Sequence, residues 1–562
     1  MDKDNIFIES RYEFKRVRRS VLFRIFAILA IFGLVVYQYS FLSKGEGSVS
    51  INNLLQFYMD WPSQALASSI PFKSAYYFNF IQLLLVVCLI VNDLRSYKVS
   101  TKEALYAHSQ CNEDIVIGNF LGKFLTLTLL NWITFAISIF FNLVLYFNSF
   151  ELSYYFFYWI TLTFPALVCF LGFSGFVIRY VRNQGICMIL LLLFLGGLTF
   201  GGACFAHGLL DPCARYIPNM FSDFMGHVNL ENYLLQRGYV LLFGTGCLLL
   251  SVISYPRIPN HTFVGKKWLG IACLFFVLAG LLAFTYLNHY VAIDHNRELY
   301  RQVYRENSKR PTARVVRNEL QVKILEDGKL AMESLMEIEN KNSEVIPLIV
   351  YLNPGLKIST IEINGKAVSF QRERQAVIPN KELIPGERCH VSIGYAGTVE
   401  TDICFLEQEN GKYDSPDVNR VGIYHFGYTP AYCGKKYTLL TPECIWYPVC
   451  VPPYSPFRYR GVNFTRYALT VEHASNLTAI SQGNVEYKKE GKTLFTFTHD
   501  MPGISLCVGE YKKREITVFS KIPDDTTHLE LYYLPCHEYL LKPYDMLETL
   551  LIKRLVEAKS TF

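Results

Sequence analysis

The chain has 562 residues, of which 51% are apolar and only 18% charged, with a formal net charge of +6. Soluble domains carry about 25% charged residues, so a wholly water-exposed enzyme is excluded. The small positive excess is not gathered into one basic face, which argues against nucleic acid as a partner.

Up to about residue 290, long apolar runs alternate with short basic stretches. Residues 1–20 come first. Within them Ile8–Ser20 is amphipathic and basic (Arg11, Lys15, Arg16, Arg18, Arg19), as expected of a segment lying along the cytoplasmic interface. A spanning helix needs about 20 mostly apolar residues. Seven stretches qualify: Val21–Phe41, Ala75–Asn92, Phe120–Phe147, Ser153–Ile178, Gly185–Ala206, Gly238–Tyr255 and Trp268–Asn288. The first ends in Tyr37-Gln38-Tyr39-Ser40-Phe41 without a small-residue cleavage site, so it reads as a retained anchor. Basic residues flank alternate loops: Arg95, Lys98 and Lys102, then Arg179 and Arg182, then Arg257, Lys266 and Lys267. The positive-inside rule then puts the N-terminus in the cytoplasm and everything after Asn288 outside. Within the spans only Arg24 and Lys123 are charged, both near cytoplasmic ends. An ion-coupled transporter usually keeps an intramembrane carboxylate or His, so the energy for any transport is expected from elsewhere.

The loop Asp93–Val116 includes a predicted short helix, Ser100–Tyr106, capped by Ser100 or Thr101 with Glu103 near its positive end. The connection His207–Arg237 is long, external and semi-polar, suited to short re-entrant segments. An interfacial first helix, a cytoplasmic helix after the second span, six spans and an external hairpin together resemble the type-2 ABC transporter permease family. The likeness covers about residues 1–255. The stretch Arg95…Lys102-Glu103-Ala104-Leu105…Ile117-Gly118-Asn119-Phe120-Leu121-Gly122-Lys123 is similar to that family's loop into its third span. The resemblance implies a homo- or heterodimer of permeases in the lipid bilayer, driven by a separate ABC ATPase subunit that holds ATP and Mg. Arg95, Lys98, Lys102, Glu103 and Leu105 are the ATPase-docking candidates it implies. The plainer reading is a basic loop that any helical bundle needs. A phosphate-binding loop is missing from the chain: Gly265-Lys266-Lys267 and Gly434-Lys435-Lys436 lack both the upstream Gly and the hydroxyl.

His289–Glu319 reads as a charged connector, helical through Asn296–Glu306. Strand-like alternation follows at Leu320–Leu325, Ala331–Ile338, Val345–Leu352 and Ile358–Ile363. After a strong hairpin signal at Asn364-Gly365, it continues at Ala367–Phe370, His390–Tyr395, Tyr467–Val471, Thr493–Thr498 and Ile516–Phe519. Many short strands at close spacing predict a β-sandwich. Tyr351–Leu356, Ile361–Lys366, Ile384–Glu387, Val391–Gly397, Trp446-Tyr447-Pro448, Ala479–Gly483 and Phe495–Gly509 follow one another in a familiar order. Over about Asn318–Leu534 they resemble the N-terminal sandwich of the alanyl/leucyl aminopeptidase family of zinc gluzincins. That family's zinc needs His-Glu-x-x-His on a helix plus a downstream Glu. The one near match, His537-Glu538-Tyr539-Leu540-Leu541, has Leu541 where the second His belongs, and the Gly-x-Met-Glu-Asn signature is missing. No catalytic or metal-binding residue is assigned, and zinc is expected only if a catalytic domain were present. Seven cysteines follow the last span, an odd number without regular spacing, so no disulfide framework is expected. His425 and His473 read as structural. The Tyr- and Pro-rich stretch Val449–Tyr459 reads as a binding loop or as packing.

The expected fold is therefore a polytopic α-helical membrane domain, a six-helix permease core plus a seventh span, followed by an all-β extracytoplasmic sandwich. The expected divisions are 1–20, 21–255, 256–288, 289–317, 318–536 and a helical segment at 537–562. The expected function is that of an ABC exporter permease in a bacterial cell membrane, not itself an enzyme, with a lipid-like or amphipathic substrate. The alternatives are the anchor and N-domain of a membrane-tethered zinc aminopeptidase, or a non-transporting scaffold or receptor.

Overall fold

The computed structural model describes residues 2–43, 67–97, 111–145, 150–181, 183–201, 206–215, 217–255, 262–410, 429–454, 463–489, 491–519 and 526–541. The chain divides into two compact units. One is Met1–Tyr290 with Pro416–Gly427; the other is Val291–Ser415 with Tyr428–Phe562.

The first unit is helical: α1 (Lys3–Arg19), α2 (Val21–Ser43), α3 (Ser69–Tyr97), α4 (Asn112–Phe140), α5 (Leu152–Tyr158), α6 (Phe164–Tyr180), α7 (Gln184–Gly201), α8 (Leu230–Ile253) and α9 (Thr262–Asn307). Among the described residues, five helical segments are long and apolar enough to cross a membrane, and six if α1 and α2, bent by 72° at Ser20, count as one. The described part of α7 adds a shorter apolar stretch, Gly185–Phe194.

Leu152–Tyr180 is not a uniform α-helix. A π-turn at Trp159–Thr163 separates α5 from α6, just ahead of Pro165. Proline has no N–H to give the preceding turn, and the wider turn absorbs the mismatch. Helices α6 and α8 touch backbone to backbone; a Cβ on Gly244 would lie 2.5 Å from Cys169 Cα. Small residues permit such contact, and in lipid close packing is the main force between helices.

Two expectations about helix ends are corrected. Helix α8 begins at Leu230 rather than Gly238, so Arg237 lies inside a helix, 2% exposed. The connector expected after Asn288 is not a separate element. Helix α9 runs unbroken for 46 residues, about 70 Å at 1.5 Å per residue.

The second unit is mostly β. Its main sheet has eight strands: β1 (Arg314–Ile324), β2 (Leu330–Glu339), β3 (Leu356–Ile363), β4 (Lys366–Ala367), β5 (Arg388–Gly397), β6 (Arg466–Glu472), β7 (Asn484–Lys489) and β8 (Lys492–Thr496). Their order is β7-β8-β6-β1-β2-β5-β3-β4. Pairing is antiparallel except for β1 with β6, where Leu320 sits opposite Leu469. A second sheet of four short strands includes Tyr437–Leu440 and Leu506–Gly509. Alternation along β1 and β2 buries Leu320, Val322, Met332 and Met336 in the core. The predicted strand Val345–Leu352 is two fragments, Ile346–Pro347 and Val350–Tyr351, paired in different sheets. The expected helix at 537–562 is described only as a 3₁₀ segment, Pro535–Leu541; the remainder lies outside the described residues.

Candidate functional site

Of the docking candidates, Arg95 falls in the last turns of α3, while Lys98, Lys102, Glu103 and Leu105 lie outside the described residues, as does the predicted helix Ser100–Tyr106. The structure does describe what stands on either side of that loop: the end of α3 and the start of α4.

Helix α4 with its π-turn, Asn112–Val144, is 33 residues long. At 1.5 Å per residue that is about 50 Å, well beyond the roughly 30 Å of a bilayer's apolar core. The basic first helix packs alongside its early turns. Asp2 caps α1 by accepting from Asp4 N–H, and the Asp2 N–H donates to Asp114 Oδ1 at 3.0 Å. Farther along, the helices meet at Gly118 and Gly122. A Cβ on Gly118 would lie 2.6 Å from Glu9 Cβ, and one on Gly122 would lie 2.6 Å from the Ser10 carbonyl oxygen. The Gly-x-x-x-Gly spacing gives α4 a shallow groove, and α1 fills it with Ile6, Ser10, Glu13 and Val17.

At the Gly122 end of the groove, four charged side chains gather. Arg16 Nη2 donates to Glu13 Oε1 at 2.6 Å and to Asp93 Oδ1 at 2.5 Å. Lys123 pairs with Asp93 and stands 3.8 Å from Glu13 Oε1. Among the described residues the group holds two acids and two bases, a balance that matters in a partly buried set, where an unpaired charge is costly. The cluster therefore ties α1, α3 and α4 together at their basic ends. Beside it is a cavity of about 20 Å³ lined by Asp93, Asn119, Lys123, Ser174 and Arg179, among others, which is room for a single water.

The sequence places Lys123 near a cytoplasmic end of its span and Arg16 in a basic amphipathic segment; the structure adds carboxylate partners for both. Glu13 and Asp93 were not singled out. Two signals were available: the Gly118/Gly122 spacing, and Glu13 three residues before Arg16 on one helix face.

The opposite end of this unit carries a second buried polar set. Gln236 Nε2 donates to the carbonyls of Gly208, Leu209 and Asp211 at 3.2, 3.0 and 2.8 Å. Arg237 donates through Nη1 and Nη2 to the Pro212 carbonyl, each at 2.9 Å. The Asp211 carboxylate accepts from Cys213 N–H at 2.9 Å and from Arg215 N–H. Burial pushes its pKa up to about 6 despite those amides and the nearby Arg237 and Arg215. The expected re-entrant connection is, in its described part, a loop folded onto the start of α8.

In the second unit, Arg297 near the end of α9 is fully buried. It donates to the carbonyls of Asp402, Cys404, Phe405 and Gln408 at 3.0, 2.8, 2.9 and 3.3 Å and to Asn410 Oδ1 at 3.1 Å. Arg301 adds bonds to Leu406 O and Gln408 O. At the incomplete zinc motif, Glu538 is engaged by Lys512 at 3.0 Å, burial lowers the His537 pKa, and the segment is a 3₁₀ turn rather than an α-helix.

No family model matches the sequence, and no curated protein does. Solved structures similar to part of it include the M1 zinc metallopeptidase from Deinococcus radiodurans, at 16% identity over 40% of this chain and 48% of that one, TM-score 0.29. Others are yeast LTA4 hydrolase (12% identity, 41% and 32%, TM-score 0.28) and Legionella pneumophila aminopeptidase A in complex with aspartic acid (12% identity, 41% and 25%, TM-score 0.30). The chain thus spans about half the length of the first of these and a third or less of the others.

Proposed function

We propose that the chain is the membrane-spanning subunit of an ATP-driven exporter, powered by a separate ABC ATPase and carrying an extracytoplasmic β-domain. The observation that supports this reading most is the neutral cluster Glu13–Arg16–Asp93–Lys123, which joins α1, α3 and α4 on both sides of the loop 98–110. A partner that pushes on that loop displaces α3 and α4 together, because their ends share one ion-pair set, and α1 moves with them. A solvated loop on a passive anchor would need no such joint. In this reading Arg95, Lys98, Lys102, Glu103 and Leu105 form the contact with the ATPase.

The test is recovery of the tagged chain from its native membrane. An ABC ATPase should co-purify, and reversing Lys102 and Glu103 to the opposite charges should weaken the association while leaving the amount of folded chain unchanged. If no ATPase associates with the unaltered chain, or the reversal changes neither binding nor hydrolysis, the reading fails, and the tethered-peptidase anchor takes its place. A cysteine at position 98 should be labelled only from the cytoplasm and one at exposed position 366 only from outside. The reverse pattern at either would overturn the orientation.

A further inference from the structure

The β-unit holds a cavity of about 770 Å³, within the span of small-molecule sites, about 300–1,000 Å³. Tyr304, Tyr447, Tyr454 and Tyr467 line it together with the proline-rich run 448–453. The Tyr304 and Tyr454 rings stack with centroids 4.3 Å apart. Among the described lining residues, Glu443 is the one acidic side chain, and no Lys, Arg or His is present.

Several side-chain hydrogens of the wall are already committed. Thr465 Oγ1 donates to Val315 O at 2.9 Å, Asn463 Nδ2 to Ala313 O at 3.3 Å, and Ser308 Oγ to Arg305 O at 3.2 Å. Asn318 Oδ1 accepts from Ser334 at 2.8 Å, and the tyrosine hydroxyls can accept as well as donate. The wall therefore offers oxygen acceptors, a carboxylate and ring faces, with no cationic side chain among the described lining residues.

The turn that carries Glu443 is also held under strain. Ile445, buried and β-branched, has φ of +43°, a conformation such residues rarely adopt. Asn353 fixes it there: its Nδ2 donates to Cys444 O at 2.7 Å and its N–H to Ile445 O at 3.0 Å. Strain of this kind persists only where the surroundings enforce it, and it gathers at binding sites.

We propose that this cavity binds an organic ammonium ion, with the charged head against Glu443 and the apolar body along the tyrosine and proline walls. An anion would meet the carboxylate. A neutral apolar guest would strip water from Glu443 and give nothing back. An ammonium group supplies donors to the acceptor-rich wall and is attracted to tyrosine ring faces within about 6 Å. The source is either a free amine or the amine headgroup of a lipid. The proposal is independent of the transport reading.

The test uses the full chain in maltoside micelles and phenethylamine as the probe, titrated by calorimetry. Saturable binding is expected, with phenethyl alcohol at least about tenfold weaker and 3-phenylpropionate not binding. Glu443→Gln should lower amine affinity by about tenfold or more while leaving the melting temperature and the affinity for the alcohol unchanged. Tyr454→Leu should weaken both amine and alcohol. Should Glu443→Gln not fold, Glu443→Asp keeps the charge and should retain amine selectivity with reduced affinity. Alcohol binding as tight as the amine, unchanged amine affinity in Glu443→Gln, or no saturable binding at millimolar probe would each overturn the proposal. Displacement of the probe by glycerophosphoethanolamine supports the site with a lipid headgroup as its ligand. Displacement by simple alkylamines alone supports it with a free amine.

Discussion

Arg16 in the helical unit and Arg297 in the β-unit are guanidinium groups withdrawn from water in opposite ways. Arg16 is answered by charge: Glu13 and Asp93 neutralise it, and Lys123 balances the second carboxylate. Arg297 is answered by dipoles, since four main-chain carbonyls and one amide oxygen take its hydrogens. The difference decides what each can do. Charged side chains on three helices can exchange partners when the helices shift, at modest cost so long as the set stays neutral. Carbonyls of one loop cannot rearrange without unfolding that loop. The first arrangement suits a joint that moves, the second a fixed anchorage of α9 within the β-unit.

The sharpest way to break this contrast is to remove each arginine's environment and compare the losses. Arg297→Met takes a donor from five acceptors; Phe405 O keeps Gln408 N–H and Gln408 O keeps Arg301, while each acceptor left unpaired costs about 1–3 kcal/mol when buried. Segment 402–410 should become the first site of proteolysis, and the β-unit should melt well below the unaltered protein. Unchanged protease resistance would mean that the carbonyl cage is not what holds the loop.

Next in size is Asp93→Asn, which leaves Glu13 facing both Arg16 and Lys123 and should cost about 3–5 kcal/mol. Restoring neutrality with the double change Asp93→Asn, Lys123→Met should recover most of that in a thermal melt. No recovery would show that geometry, not charge balance, sets the joint. Gly122→Leu should act through shape alone. Its side chain would run into the Ser10 carbonyl and part α1 from α4, while α3 keeps its pair with Lys123. Amide hydrogen exchange along α1 should quicken sharply, and unchanged protection would place the contact elsewhere.

The smallest expected effect is a pH response. With the Asp211 carboxyl raised to about 6, the folded state holds its proton more tightly than the unfolded chain. That stabilisation is complete below the ordinary carboxylate range, near pH 4, and is lost as pH rises through about 6. Hydrogen exchange in the segment 208–215 should therefore quicken, relative to the intrinsic rate, as pH rises from about 4 to about 6, and level off above that. Asp211→Asn should flatten that response, and an unaltered profile would exclude Asp211 as its origin.

Much of this architecture was written locally. Asn364 and Gly365 announce a hairpin because both must take positive φ, and they do so at +51° and +74°. The alternation through Leu320 and Val322, or Met332 and Met336, fixes which face of β1 and β2 is buried, and long apolar runs fix the helices that can cross a bilayer. Other features were misplaced for a physical reason. The composition turns polar after Asn288, yet nothing there breaks a helix, so α9 continues to Asn307. Arg237 reads as a loop residue because a charge is costly inside an apolar helix, and that cost is offset by Gln236 on the same helix and by carbonyls at position 212 and nearby in another segment.

Composition, apolar run length, basic flanks and turn residues thus determined a helical, bilayer-compatible half followed by a strand-rich half, since each depends on neighbours within a few turns. Which charges meet was decided only in three dimensions. Glu13, Arg16, Asp93 and Lys123 are separated by up to 110 positions along the chain, and Glu443 shares a wall with Tyr304 from a different element. No local rule links such residues; the packing of whole helices and sheets brings them within a hydrogen bond of one another or around a common space.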